Sequence, residues 1–180
     1  MNKLPILNID QFQNNKGEVE LCANILSDHL IVHDATISAP HKHDFYLTVL
    51  FTQGSGVHEV DFNSYPIKKG ALFLINPGQT HYWNFFEKVE GYIFFHSKEY
   101  YDFHFPNKSI NKYPFYYSVF NPSVLFLDHN QVLNYILVFK DIIKEKDSWD
   151  TMAVQKIALL IDLLYINTTR IYLENEGFES

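Results

Sequence analysis

Up to about residue 128, apolar and polar positions alternate in short segments, and beyond it the spacing becomes helical. The segments that read as strands are Glu18–Ile25, Leu30–Ile37, His43–Thr52, Val57–Phe62, Ala71–Ile75, Thr80–Phe86, Gly91–His96, Phe115–Phe120 and Val124–Leu127. Turn-forming residues separate them, at Ser38-Ala39-Pro40, Gly54-Ser55-Gly56, Asn63-Ser64-Tyr65-Pro66, Lys69-Gly70 and Asn76-Pro77-Gly78. Short strands punctuated this closely predict an all-β sandwich or barrel. Residues 1–16 are polar and irregular and read as an N-terminal arm, leaving 17–127 for the barrel.

Residues 128–176 predict two helices. Asp128 followed by Gln131 has the form of a capping box, opening a helix to about Lys146 with Val132, Ile136, Phe139 and Ile143 on one face. Asp147-Ser148 is expected to start the second helix, which reaches roughly to Leu173. There Val154, Ile157, Ile161, Leu164, Thr168 and Ile171 alternate three and four apart, the seam of a coiled coil. A second apolar line, Ala153, Leu160, Leu163 and Ile166, lies at other angles. Two apolar faces exceed what one barrel needs, so one is expected to pack at home and the Val154–Ile171 line to form a dimer interface. A single core-facing helix with a wide stripe is the alternative.

Composition sharpens this picture. Aromatics make up 17% of the chain, with sixteen Phe and twelve Tyr, which favours half-buried pleated surfaces. The formal net charge of −7 and the lack of a dense Lys/Arg cluster argue against direct contact with nucleic acid. Cys22 is the only cysteine, so no internal disulfide forms, and it reads as a small buried hydrophobe. The longest apolar run, Ile157–Ile166, is broken by Asp162 and is too short to span a bilayer; no signal peptide is recognised at Met1–Lys16. The expected location is cytoplasmic, with no membrane partner.

The candidate chemistry lies in histidines. His41 and His43 share a face of any extended segment, and His81 follows the Pro77-Gly78 turn. Facing strands could bring the three imidazoles together. Pro40-His41-Lys42-His43-Asp44-Phe45-Tyr46 with Gly54-Ser55-Gly56 resembles the first cupin motif. Gly70 followed by Asn76-Pro77-Gly78-Gln79-Thr80-His81 and Asn84 resembles the second. With Gly91-Tyr92-Ile93-Phe94-Phe95 and the terminal helices, the whole order is similar to the N-terminal domain of AraC-family transcription regulators. That resemblance covers nearly all of the chain. It implies a mainly β fold, a cupin-type double-stranded β-helix (jelly-roll) barrel followed by an antiparallel pair of α-helices. It also implies a small effector, often a sugar, in the barrel, and a homodimer through the helices.

Metal-binding cupins place a Glu four or five residues after the second His, where this sequence has Leu47 and Thr48. No cofactor is therefore expected; a metal, if bound, would take His41, His43 and His81. His41, His43, His81, Trp83, Glu90 and Tyr92 are the expected ligand lining, the last three on the match to the strands that touch effector in the family. Core packing is the alternative role for Trp83 and Tyr92, and a solvated turn for Glu90. His29, His33, His58, His96, His104 and His129 are expected to be surface or internally satisfied groups. No nucleophile elbow, phosphate loop or dinucleotide fingerprint is present, so nucleophilic catalysis finds no support. Regulators of this kind act on DNA through a helix-turn-helix domain expected outside this chain. The alternative function is a stand-alone metal-dependent cupin oxygenase or isomerase. A third reading is a sugar-binding protein with no output domain.

Overall fold

The computed structural model describes residues 4–12, 20–37, 39–117 and 121–175. Two antiparallel sheets face one another. The larger has the order β10-β7-β4-β9-β2, built from Val124–Phe126, Ala71–Ile75, Tyr46–Gln53, Glu90–His96 and Leu21–Ile25. The smaller has the order β6-β5-β8, from Asn63–Ile67, Gly56–Val60 and His81–Phe85. The larger sheet is buried on both faces, which is why β7 reads as an unbroken apolar run. Leu47, Val49, Phe51, Phe73, Ile75, Ile93 and Phe95 point into the barrel. Their neighbours Tyr46, Leu50, Leu72, Leu74 and Phe94 point outward, into a second core beneath the helices. The molecule is mainly β, a barrel of two facing antiparallel sheets with C-terminal helices.

The arm is part of this fold where it is described. Strand β1 (Ile6–Leu7) pairs in parallel with β3 (Lys42–His43). Leu7 and Ile9 are buried in the barrel core, and Phe12 stacks on His29 at 5.6 Å. Met1–Lys3 and residues 13–19 lie outside the described residues.

The helical region forms as its capping chemistry predicts. Asp128 Oδ1 accepts from the Gln131 backbone N–H, and Gln131 Oε1 accepts from the Asp128 N–H, each at 2.9 Å. This box opens α4 (His129–Ser148), which packs against α5 (Ala153–Asn175). Asp147 and Ser148 end the first helix rather than start the second. Trp149 and Met152 take left-handed backbone angles, φ 49° and 65°, that reverse the chain between them.

Four local expectations are corrected. Leu30–Ile37 is not a strand but the body of α1 (Leu26–Ile37). Its buried Leu26, His29 and Ile37 fit a helical face, while Ile31 is 80% exposed, so tertiary context overrides the β-branched composition. Phe115 and Tyr116 lie in a helical turn, α3 (Pro114–Tyr117); residues 118–120 lie outside the described residues. Asn63–Pro66 is not merely a breaker but most of β6, an edge strand where Pro66 forfeits no internal ladder bond. A further helix, α2 (Lys98–His104), follows β9, its first turn capped by Ser97 Oγ accepting from the Tyr100 N–H at 2.9 Å.

The fourth correction concerns the coiled-coil seam. Ile157, Ile161, Leu164 and Thr168 are buried in the chain's own core, and Thr168 shares a 2.8 Å hydrogen bond with Tyr135 of α4. Val154 and Ile171 are half-buried against the same core. The Val154–Ile171 line is therefore the home face and not a dimer interface. The outward line is Leu159, Leu163, Ile166 and Leu173, of which Leu159 remains 62% exposed.

Candidate histidine cluster in the barrel

Four histidines converge between the two sheets. The backbones of His41 and His81 bridge: the His41 N–H donates to the His81 carbonyl at 3.2 Å, and the His81 N–H to the His41 carbonyl at 2.9 Å. That bridge sets His41 beside the first residue of β8. His43 lies two residues on, its ring stacked on Phe45 at 4.4 Å. Its Nε2 lies 2.5 Å from His81 Nε2. On the other side of His81, Nδ1 lies 2.9 Å from Nε2 of His58. His58 belongs to β5 and pairs across the sheet with Trp83 of β8.

All four rings are buried, and burial governs their charge. It holds His43 down to about 3, with His41 adding to the effect. Burial first, and the neighbouring imidazoles second, keep His58 and His81 well below the ordinary imidazole range. His41 is lowered too, although its contact with the Ala39 carbonyl opposes this. The cluster is neutral at physiological pH. Among the described residues, Nδ1 of His58 and Nε1 of Trp83 find no hydrogen-bond partner, although both are buried. Native proteins pair nearly all such groups, so two unpaired donors or acceptors side by side need a partner from elsewhere.

Of the expected lining residues, His41, His43, His81 and Trp83 are brought together here. Glu90 and Tyr92 are not. Glu90 is exposed at the start of β9, and Tyr92 lies on the outward face of that strand, 5.9 Å from Phe139 of α4. The two share one face of β9, but that face looks away from the barrel. His58 was expected to be an ordinary satisfied group and instead completes the cluster. Its signal was the alternation of Gly56, His58 and Val60, the three buried positions of β5.

A separate polar line runs between the sheet and the helices. His96 Nδ1 lies 2.8 Å from the Ser97 carbonyl, which can only accept, so His96 carries its proton there. Its Nε2 then accepts from the Tyr165 hydroxyl at 2.8 Å. Tyr165 in turn accepts from Tyr116 at 3.2 Å, which leaves Thr48 as the donor to Tyr116. The line runs in one direction from β4 through α3 and α5 to β9. On α5, Asp162, the residue that interrupts the apolar run, accepts from Tyr101 at 2.8 Å and Tyr113 at 2.5 Å and pairs with Lys108. Burial would raise its carboxyl, but Lys108 and the two hydroxyls hold it below the usual value.

His96 predicts an acid-sensitive fold. Burial lowers it to about 4, from 6.5 when exposed, so the unfolded chain takes up its proton first. The stability it contributes is full above pH 6.5 and is lost as pH falls towards 4. At pH 5 this amounts to about 2 kcal/mol, and the other buried imidazoles act in the same direction. Urea unfolding at pH 7 and pH 5 should show the midpoint falling, and His96→Gln should flatten that slope. An equal midpoint at both pH values would contradict the argument.

A cleft of about 320 Å³ also lies between α4 and α5, lined by Tyr135, Val138, Leu164, Arg170 and Ile171 among others. It is outside the barrel and away from the histidines. Among the described residues, no helix is long and apolar enough to cross a membrane.

Comparison with known proteins bears on this arrangement directly. Residues 28–85 match the AraC-like ligand binding domain family, a stretch that contains all four histidines and Trp83. Among solved structures the chain is similar to apo ToxT K231A from Vibrio cholerae, with a TM-score of 0.51 and 9% identity, over 88% of this chain and 59% of that one. It is also similar to the Cnp3 cupin domain of Schizosaccharomyces pombe, with a TM-score of 0.34 and 15% identity, over 57% of this chain and 68% of that one. The plu4264 protein from Photorhabdus luminescens matches with a TM-score of 0.31 and 24% identity, over 34% of this chain and 56% of that one. This chain thus spans little more than half the length of plu4264 and of ToxT. No curated protein matches the chain in sequence.

Proposed function

We propose that this chain is the effector-sensing and dimerisation unit of an AraC-type transcription regulator, taking a small polar molecule into its barrel. The match at residues 28–85 supports a ligand-sensing domain of this type. The single observation that carries the ligand reading is the pair of unpartnered polar atoms, His58 Nδ1 and Trp83 Nε1, inside that matched segment. An indole N–H only donates, so the effector must present an acceptor oxygen or nitrogen to Trp83. Sugars, with many hydroxyls and flat apolar faces suited to aromatic walls, are the first class to test.

Signal output follows from what surrounds the site. The arm strand β1 pairs with β3 beside His43, so an effector that displaces or tightens the arm would bias a two-state equilibrium. The homodimer forms through the C-terminal helices, by the outward line of Leu159, Leu163, Ile166 and Leu173. Those spacings of four, three and seven continue a heptad on the solvent side of α5. With a net charge of −7, the chain itself is a poor partner for DNA, and contact with a promoter falls to a basic domain outside it. The working compartment is the cytoplasm, and the unit is not an enzyme.

The reading is tested by thermal melts against a panel of monosaccharides and other small hydroxylated or carboxylated compounds. At least one is expected to raise the melting temperature of the wild type, as any ligand selective for the folded state must. The same compound should give little or no rise in Trp83→Phe. A panel without a hit, or a hit that Trp83→Phe binds equally well, counts against the barrel as sensor. The alternative, a metal-dependent oxygenase or isomerase, draws on the histidine triad. It lacks support from a carboxylate, since Leu47 is apolar and Thr48 points out of the barrel to Tyr116.

A further inference from the structure

We propose that the cleft between α4 and α5 is a second ligand site, outside the barrel, that takes an α-amino acid with an apolar side chain as its zwitterion. The cleft has a volume of about 320 Å³, near the lower end of the roughly 300–1,000 Å³ typical of small-molecule sites. That size suits an amino acid better than a nucleotide or an oligosaccharide.

Two helix faces build this cleft. Gln131, Asn134 and Val138 recur three and four apart on α4, and Leu164, Asn167, Ile171 and Glu174 do the same on α5. The Lys156–Glu145 pair near the turn and the Tyr135–Thr168 hydrogen bond further along hold the helices side by side in opposite directions. The floor is closed by its own hydrogen bonds. Thr168 Oγ1 donates to the Leu164 carbonyl at 2.8 Å, so Tyr135 donates its hydroxyl proton to Thr168, also at 2.8 Å. With those protons committed, Tyr135, Val138, Leu164 and Ile171 offer a ligand mainly apolar surface. Polar recognition therefore falls to the rim.

The rim carries one charge of each sign. Arg170, the only arginine of the chain, and Glu174 lie one turn apart on α5, with Cβ atoms about 5–6 Å from each other. An acid following a base at this spacing is the less favourable order for a helix pair. Among the described residues, neither side chain forms an ion pair or a hydrogen bond, and the same holds for the side chains of Asn134 and Asn167. A planar guanidinium holds a carboxylate by two parallel N–H···O bonds, which a lysine cannot do. A ligand with a carboxylate alone would set its charge against Glu174, and an amine alone would face Arg170. An α-amino acid carries both groups on one carbon and satisfies both. The amides of Asn134 and Asn167 can accept from the ammonium and donate to the carboxylate, while the ligand's side chain lies on the apolar floor. Every lining residue belongs to one chain, so the site requires neither the barrel effector nor a second copy, although Arg170 also stands between Ile166 and Leu173 on the outward line of α5.

The test titrates the full chain calorimetrically with L-phenylalanine and L-leucine, and with phenylpropionate and phenethylamine as probes that each lack one charge. One equivalent of at least one amino acid is expected to bind saturably at millimolar concentration or below, with each singly charged probe at least about 10-fold weaker. Arg170→Met should weaken the amino acid about 10- to 100-fold, and Arg170→Lys, which keeps the charge and loses the fork, by a smaller factor. Glu174→Gln should narrow the preference for the amino acid over phenylpropionate, a change that looser helix packing would not produce. Both side chains are exposed, so these variants are expected to melt with the wild type. The double variant Leu159→Glu, Leu163→Glu should bind as the wild type does. Failure of both amino acids to bind, unchanged affinity in Arg170→Met, a singly charged probe as tight as the amino acid, or loss of binding in the folded double glutamate variant would each overturn the proposal.

Discussion

Gly91→Val is expected to leave the chain unable to hold its native fold. Gly91 sits in β9 opposite Phe51, beside the register shift between Phe51 and Gln53 of β4. A Cβ built there would lie 2.0 Å from the Leu50 carbonyl oxygen and 3.2 Å from Phe51 Cα. Both obstacles are backbone of the central strand, which is paired on its other edge to β7 and cannot step aside. Glycine in a strand commonly marks such a close approach. Overpacking of side chains costs about 1–3 kcal/mol; a clash with the backbone should exceed about 3 kcal/mol even for Gly91→Ala. Gly78→Ala is the comparison. Gly78 has φ +84° but nothing within 4 Å of a built Cβ, so only about 1–2 kcal/mol of backbone strain is expected. Urea unfolding of both variants checks this, and a Gly91→Ala as stable as Gly78→Ala would refute it.

The second large effect is expected at the surface of α5. Leu159→Glu with Leu163→Glu should convert a dimer into a folded monomer. These leucines are 62% and 46% exposed in the single chain, so their replacement removes little from its own core. In a symmetric pair each substitution acts twice. Losing about 1.5–3 kcal/mol per buried leucine, and adding charges to an apolar seam, should weaken dimerisation by at least about 100-fold. Ile161→Ala separates the two faces of the helix. Ile161 is buried against the chain's own core, so this change should cost about 2–5 kcal/mol of folding stability. Sedimentation at high micromolar concentration, with urea melts alongside, distinguishes the outcomes. A monomeric wild type, or a double glutamate variant that still dimerises, would remove the dimerisation half of the proposal.

Much of this architecture could be read from local patterns, and the misreadings share a physical cause. Alternation located β5 and β8 to within a few residues because one face of each meets the barrel, and continuous apolar runs located β7 and β9 because the larger sheet is covered on both faces. The capping chemistry of Asp128 and Gln131 located α4 because it is a strictly local signal. Parity cannot say which face is which: Glu90 and Tyr92 share a face of β9, and it is the one turned away from the barrel rather than the expected lining. The same limit applies to α5, where a three-four repeat marks a packed seam without saying whose chain fills it. In α1, packing of Leu26, His29 and Ile37 against the barrel decides a conformation that Ile31 and Val32 disfavour.

The candidate site was legible as three histidines and a tryptophan, because motif spacing and strand geometry both bring them together. His58 was not, since its importance depends on cross-strand register with Trp83, which no single segment contains. Register is a long-range property, fixed here by the turns at Gly54-Ser55-Gly56 and Asn76-Pro77-Gly78 acting together.

The most direct test of the barrel as sensor follows the Trp83 indole N–H during titration with the best-stabilising compound of the thermal panel. The chain has two tryptophans, and Trp149 at the junction of α4 and α5 serves as an internal reference. The account predicts that the Trp83 Nε1–H resonance shifts saturably and exchanges more slowly with solvent as its missing acceptor arrives, while Trp149 is unmoved. Saturable binding that leaves Trp83 unchanged would place the ligand elsewhere and contradict the account.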